Sequence, residues 1–242
     1  MGKVLFIQTA FIGDAILATA MLEKWHKSYP EHQISLLVRK GNESLFNNHP
    51  FLHELHIWEK NKGKYSSLWK VLKTIRKNKY DLLVNLHRFS SSGFLTVFSG
   101  AKETRGFTKN PLSRWFDLRF DHPIGRKGDQ QFSHETVRNQ QLIAKETGDE
   151  AEQPMLYTGP NEKQKVEALI GEPFVTISPS SVWATKAWPS SKWVAVLNQM
   201  PQVKVYLLET IVLKTQHLKK HLVYLAHCFD FPLLQVLLRH IY

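Results

Sequence analysis

The feature that most constrains this chain is an alternation of two hydrophobic periods. A buried-strand run, "VLFIQT" from Val4 to Thr9, passes straight into "DAILATAMLEKWHKSY", where Ile16, Ala20 and then Leu17, Met21 and Trp25 recur at helical spacing. The switch repeats. "QISLLV" (33–38) and "LHELHIW" (52–58) read as strands, "YSSLWKVLKTIRKNK" (65–79) as a helix with Leu68, Leu72 and Ile75 on one face, and "DLLVNLH" (81–87) as a further buried strand. Strands separated by helices call for a parallel sheet covered on both faces, so the first half is expected to be doubly wound α/β.

The same rhythm breaks and then restarts. Residues 107–132 mix Pro111, Pro123, Gly125 and Gly128 with basic and aromatic side chains and read as a long surface loop. "HETVRNQQLIAKETG" (134–148) predicts a helix stopped by its glycine, and "EAEQPMLYTGPNE" reads as a linker. Beyond it "PFVTIS" and "VKVYLL" predict strands around the helix "SSKWVAVLNQM", which begins a second Rossmann-like domain. The expected boundary is near residue 160, giving domains 1–160 and 161–242.

Charge narrows the partners without choosing among them. The chain carries a formal net charge of +11, which favours nucleic acid, a membrane surface or a phosphorylated small molecule. Lysines from Lys60 to Lys79 fit a solvated helix face as well as a binding patch. Gln8 and Asp14 interrupt the only stretch that imitates an export signal, because a carboxylate in an apolar segment is costly to place in lipid. The single cysteine, Cys228, allows no intrachain disulfide, and the chain is read as cytoplasmic.

Two stretches can carry chemistry. In "TAFIGDA" Gly13 supplies a turn and Asp14 is read as the cap of the following helix; it also falls at the carboxyl end of the first strand, where ligands of open α/β sheets bind. The segment has neither the glycines of a dinucleotide fingerprint nor the Gly-Lys-Ser/Thr of a P-loop. In "ISPSSVWATKAWPSSKW" (177–193) Ser180, Ser181, Thr185 and Lys186 precede a helix start. Hydroxyls, loop N–H groups and a lysine there suit a phosphate, and a serine-rich turn with packed tryptophans explains them equally well. No Cys/His cluster has metal-ligand spacing.

Together these stretches resemble the bacterial lipopolysaccharide heptosyltransferases, inverting enzymes of glycosyltransferase family 9 with two Rossmann-like domains in a GT-B arrangement. The carriers are "KVLFIQTAFIGDAILATAML", "YDLLVNLH", "ETRGF" and the Lys-x-Trp-Pro of "TKAWP". The resemblance implies an ADP-heptose donor, no metal and no cofactor beyond the nucleotide sugar. It assigns Asp14 as the base that deprotonates the acceptor hydroxyl and Lys186, with loop hydroxyls of which Ser180, Ser181 and Thr185 are candidates, to the donor diphosphate. Gly13 and the basic loop residues Arg105, Lys109, Arg114 and Arg119 become candidates for holding an anionic lipid A and inner-core acceptor at the inner membrane surface, which would make the protein peripheral there. After Leu208 the chain leaves the family pattern, which implies an incomplete second domain and a chain of uncertain activity. The alternative is a noncatalytic basic α/β module for an anionic surface or nucleic acid.

Overall fold

The structure, a computed structural model, describes residues 2–60, 63–123, 134–167, 174–179, 184–199, 204–209 and 224–227. The chain divides into two compact units, Met1–Tyr157 and Thr158–Tyr242.

In the first unit the expected alternation is realised as β1 (Lys3–Gln8), α1 (Ile12–Ser28), β2 (Gln33–Arg39), β3 (Leu52–Trp58), α2 (Lys64–Asn78), β4 (Leu82–Asn85), α3 (Ser90–Val97), β5 (Glu103–Phe107) and β6 (Leu118–Phe120), followed by α4 (Glu135–Gln140) and α5 (Ala144–Thr147). The strands form one parallel sheet in the order β3-β2-β1-β4-β5-β6. That order reverses between β1 and β4, the point at which open α/β sheets bind ligands. Leu5, Ile7, Leu37, Trp58 and Leu83 of the strands pack against Leu68, Leu72 and Ile75 of α2 and Leu95 of α3. The helical period of α2 thus buries one stripe, and its other face is left to solvent.

Three departures from the sequence reading have local causes. The basic stretch after Phe107 is not one loop, because a three-residue strand, β6, pairs with β5 and is locked by Asp117 Oδ2, which accepts from the Thr104 amide (2.8 Å) and hydroxyl (2.7 Å). The helix expected over 134–148 is two short ones. The Leu142 carbonyl accepts from Arg105 Nη1 at 3.0 Å, and Ile143 leaves helical geometry. The second piece does end at Gly148, whose φ of +84° suits glycine. Helix α3 is not legible in "SSSGFLTV", where Leu95 is the one strong helix former among serines, a glycine and β-branched residues; tertiary contacts supply what propensity does not.

The second unit contains α6 (Pro160–Glu167), β7 (Phe174–Ile177), α7 (Ser190–Asn198), β8 (Lys204–Glu209) and β9 (Tyr224–His227). Pro160 opens α6 inside the expected linker, at the position where a missing N–H costs nothing. The three strands are parallel in the order β7-β8-β9. The stretch after Leu208, read as off-pattern, therefore adds a further strand to the sheet. No helix among the described residues is long and apolar enough to cross a membrane.

Candidate functional site

Parallel strands bring their carboxyl ends to one edge, and in the first unit β1 to β4 deliver Thr9, Arg39, Trp58 and His87 there. Together with Ala10, Phe11, Lys60, Phe89, Ser90 and Ser91 they line a cavity of about 380 Å³. Thr9 Oγ1 and His87 Nδ1 lie 2.9 Å apart in a buried contact, and Lys60 Nζ donates to the Thr9 carbonyl at 2.7 Å while sitting 4.7 Å from the centre of the Trp58 ring. The Arg39 guanidinium covers the Phe11 ring at 5.1 Å. Two cations on aromatic faces beside hydroxyls make a surface suited to an anionic sugar.

The far wall is fixed by its own network. Asn85 Oδ1 accepts from the His87 amide at 2.9 Å, and the His87 carbonyl accepts from Ser92 Oγ (2.9 Å) and Asn110 Nδ2 (3.0 Å). Burial pushes the His87 pKa down to about 4, and Lys60 and Arg88 add to the effect. His49, whose buried ring nitrogens have no hydrogen-bond partner among the described residues, is pushed down to about 4 by burial and by His26. Both imidazoles fold neutral, so the unfolded chain, with its ordinary value of 6.5, takes up protons first as pH falls. Their stabilisation is whole above 6.5 and is lost as pH falls towards 4. The melting temperature should therefore decline from about pH 7 to pH 5, above the carboxylate range, and His49→Leu should flatten that decline. A variant with an unchanged slope would refute the assignment for His49.

Asp14 is the third residue of α1, not its cap. The N-cap is Phe11, whose carbonyl accepts from Ala15 N at 3.1 Å. The carboxylate is half-buried in the first turn and has no hydrogen-bond or ion-pair partner among the described residues. It stands on the same sheet edge as the cavity without lining it. Gly13 does not make the expected turn, since it lies inside the helix, where a Cβ would meet nothing within 4 Å among the described residues.

The remaining candidates scatter. Arg105 is a buried structural residue, 2% exposed, held by Glu103, Glu146 and the Leu142 carbonyl, and not part of a surface loop. Lys109, Arg114 and Arg119 are exposed, with Arg114 stacked 3.8 Å over Trp115. Lys186 and Thr185 are exposed on a 3-10 turn, Ala184–Lys186, of the second unit, and Ser180 and Ser181 lie outside the described residues. Sequence reasoning passed over Arg39, His87 and the two phenylalanines, and counted Lys60 with a helix it precedes. Their common signal was position, each falling within a few residues of a strand's carboxyl end.

Against known proteins, the profile of glycosyltransferase family 9 (heptosyltransferase) matches residues 68–220, more than half of the chain. The chain belongs to glycosyltransferase family 9. Among curated family relatives, lipopolysaccharide heptosyltransferase 3 of Escherichia coli is 23% identical over 203 residues, covering 78% of this chain and 58% of the relative. Lipopolysaccharide heptosyltransferase 1 of Pseudomonas aeruginosa is 23% identical over 216 residues, covering 82% and 58%. The chain thus spans somewhat over half the length of these two relatives. Among solved family 9 structures, the glycosyl transferase from Veillonella parvula superposes with a TM-score of 0.71 at 19% identity, covering 85% of this chain and 62% of that one. The E. coli heptosyltransferase WaaC with ADP gives 0.67 at 15% identity, covering 93% and 73%. These likenesses are of fold, and the fold is the GT-B type of the heptosyltransferases.

Proposed function

We propose that this family 9 chain transfers heptose from ADP-heptose to the inner core of lipopolysaccharide, with inversion at the anomeric carbon. The observation that carries the reading is Asp14, a carboxylate without a partner among the described residues, in the first turn of α1 on the edge where the basic cavity opens. In a single displacement Asp14 takes the proton of the acceptor hydroxyl, the hydroxyl oxygen bonds to the anomeric carbon, and the bond from that carbon to the diphosphate breaks with its electrons leaving on ADP. The structure of a heptosyltransferase with ADP-2-deoxy-2-fluoro heptose supports this choice of donor.

Lys186 serves the diphosphate, with Thr185, Ser180 and Ser181 beside it, and offsets the charge that grows on the leaving group. No metal ion or further cofactor enters the scheme. The acceptor's anionic groups are assigned to Arg39 and Lys60 at the cavity, with Lys109, Arg114 and Arg119 as outer contacts; Arg105, buried against Glu103 and Glu146, is not among them. The protein works in the cytoplasm against the inner membrane surface.

Calorimetry with the 242-residue chain tests the donor half. ADP should bind, and Lys186→Ala should weaken it by roughly tenfold or more, because an ammonium on a diphosphate is a charge-assisted contact in ground and transition states alike. Lys186→Arg should recover part of the loss, since a planar fork replaces a point charge. Unchanged ADP affinity in the alanine variant would reject the diphosphate assignment, and preference for a duplex oligonucleotide over ADP would favour a noncatalytic binding module.

A further inference from the structure

The outer surface of α2 and α3 is unlike the rest of the first unit. On α2, Tyr65, Trp69, Lys73 and Arg76 recur at spacings of four, four and three, which places them on one stripe of the helix, flanking the buried side of Leu68, Val71, Leu72 and Ile75. Tyr65 is 74% exposed and Trp69 54%, large values for rings that a folded chain ordinarily covers. The stripe does not end at the helix. Trp69 meets Phe94 of α3 edge-on at 5.6 Å, Phe94 meets Phe98 at 4.8 Å, and Phe98 is again 46% exposed. Arg76 Nη1 donates to the Phe98 carbonyl at 3.0 Å, which joins the two helices at the other end. Single exposed rings are ordinary on a surface; a chain of touching rings across two helices is a patch.

Around these rings the charge has one sign. Helix α2 carries Lys64, Lys70, Lys73, Arg76 and Lys77 and no acidic residue. Among the described residues Lys70, Lys73 and Lys77 have no carboxylate partner, so their charge faces solvent. Helices with paired surface charges gain a little from ion pairs at these spacings, and α2 forgoes that gain.

We infer that the α2–α3 face docks on an anionic lipid bilayer. Tyrosine and tryptophan suit the headgroup level because one end of each ring system is apolar and the other polar. Lysines beside them are attracted to anionic headgroups and can extend their ammonium groups to the phosphates while their stems lie on apolar surface. A second copy of the chain is disfavoured, since two such faces would repel one another. A nucleic-acid strand is a poorer fit: Tyr65, Trp69 and Phe98 line neither the cavity at the strand ends nor the smaller hollow beside Arg39 and Glu59, and Trp69 presents its ring edge-on to Phe94. The purpose of the docking rests on the transferase reading, in which the acceptor is anchored in lipid; its chemistry does not. Both helices start at the sheet edge where the cavity lies, because α2 follows β3 and α3 follows β4, so a bilayer against this face would pass beside the cavity.

Co-sedimentation of the 242-residue chain with vesicles tests the inference without donor or acceptor. The chain should partition onto phosphatidylcholine vesicles containing phosphatidylglycerol and much less onto phosphatidylcholine alone. Tyr65→Ser/Trp69→Ser should lower partitioning about tenfold, and Lys70→Glu/Lys73→Glu/Lys77→Glu should do so on the anionic vesicles only. All five side chains are exposed, so both variants should melt like the parent chain. Partitioning that neither variant changes would overturn the inference, as would a stronger, lysine-dependent preference for a duplex oligonucleotide. Because no turnover is measured, vesicle binding can fail while ADP binding and transfer survive, and the reverse outcome is equally readable.

Discussion

Asp14→Asn should reduce heptose transfer by roughly a hundredfold or more while the protein melts within a few degrees of the parent, the range expected when a general base is removed and little else changes. The small stability cost follows from where the residue sits. As the third residue of α1, with Phe11 as the cap, Asp14 makes no capping hydrogen bond, and what its charge contributes is attraction to the positive end of the helix. That attraction is worth about 0.3–1 kcal/mol on an exposed helix, which corresponds to a shift of no more than about 4 °C for a chain of this size. Asp14→Glu separates the two effects further, because it keeps the charge in the first turn and displaces the carboxylate by one methylene. Its melting should match the parent while its rate falls. An Asn variant that turns over at the parent rate would remove Asp14 from the chemistry; one that loses most of its stability would make it a structural residue instead.

The contrast between this carboxylate and its reading from sequence shows where sequence argument reaches. Strand and helix periods exposed the doubly wound sheet, because parallel strands buried on both faces must be apolar almost throughout, as Val4 to Ile7 and Ile34 to Val38 are. Elements made by tertiary contact were not legible. Helix α3 depends on Ser92 reaching back to the His87 and Phe89 carbonyls, and β6 on Asp117 reaching Thr104, neither of which leaves a periodic trace. Asp14 was legible as a residue at a strand end but not as an uncapped third position, since the cap is a phenylalanine backbone without a polar side chain. For the cavity, chain order hid what the sheet brings together: Arg39, Lys60 and His87 come from three different strand ends. Arg105 misled for the opposite reason. Glu103, two positions away, is visible as a partner, but the carboxylate that holds it most fully, on Glu146, lies 41 positions away.

Arg105→Met should lower the melting temperature by roughly 10 °C, from a loss of about 3 kcal/mol, the lower end of the cost of stranding one side of a buried ion pair. The guanidinium side chain is 3% exposed and bonds Glu103 through Nε (2.6 Å) and both Glu146 oxygens through Nη1 and Nη2 (2.6 Å each). Burial alone would disfavour its charge, but the two carboxylates more than offset this and its pKa is raised. The lower end applies because Glu103 and Glu146 keep 37% and 23% of their exposure and can be partly rehydrated. For Glu146, burial by itself would raise the pKa, and the Arg105 bonds reverse that and hold it below the ordinary carboxylate value. Its stabilising share is therefore present above about pH 4.5 and is lost as pH falls through the depressed value, a dependence that should vanish in the methionine variant. Freed from Arg105, the Leu142 carbonyl between α4 and α5 loses its partner, so limited proteolysis should open the chain near residues 141–148 first. Arg105→Lys should recover only part of the stability, because one ammonium cannot reproduce parallel bonds to two carboxylates and a carbonyl. If Arg105 instead held the acceptor, the methionine variant would melt like the parent and lose acceptor affinity. The geometry calls for the reverse, a large fall in melting temperature in the absence of any ligand.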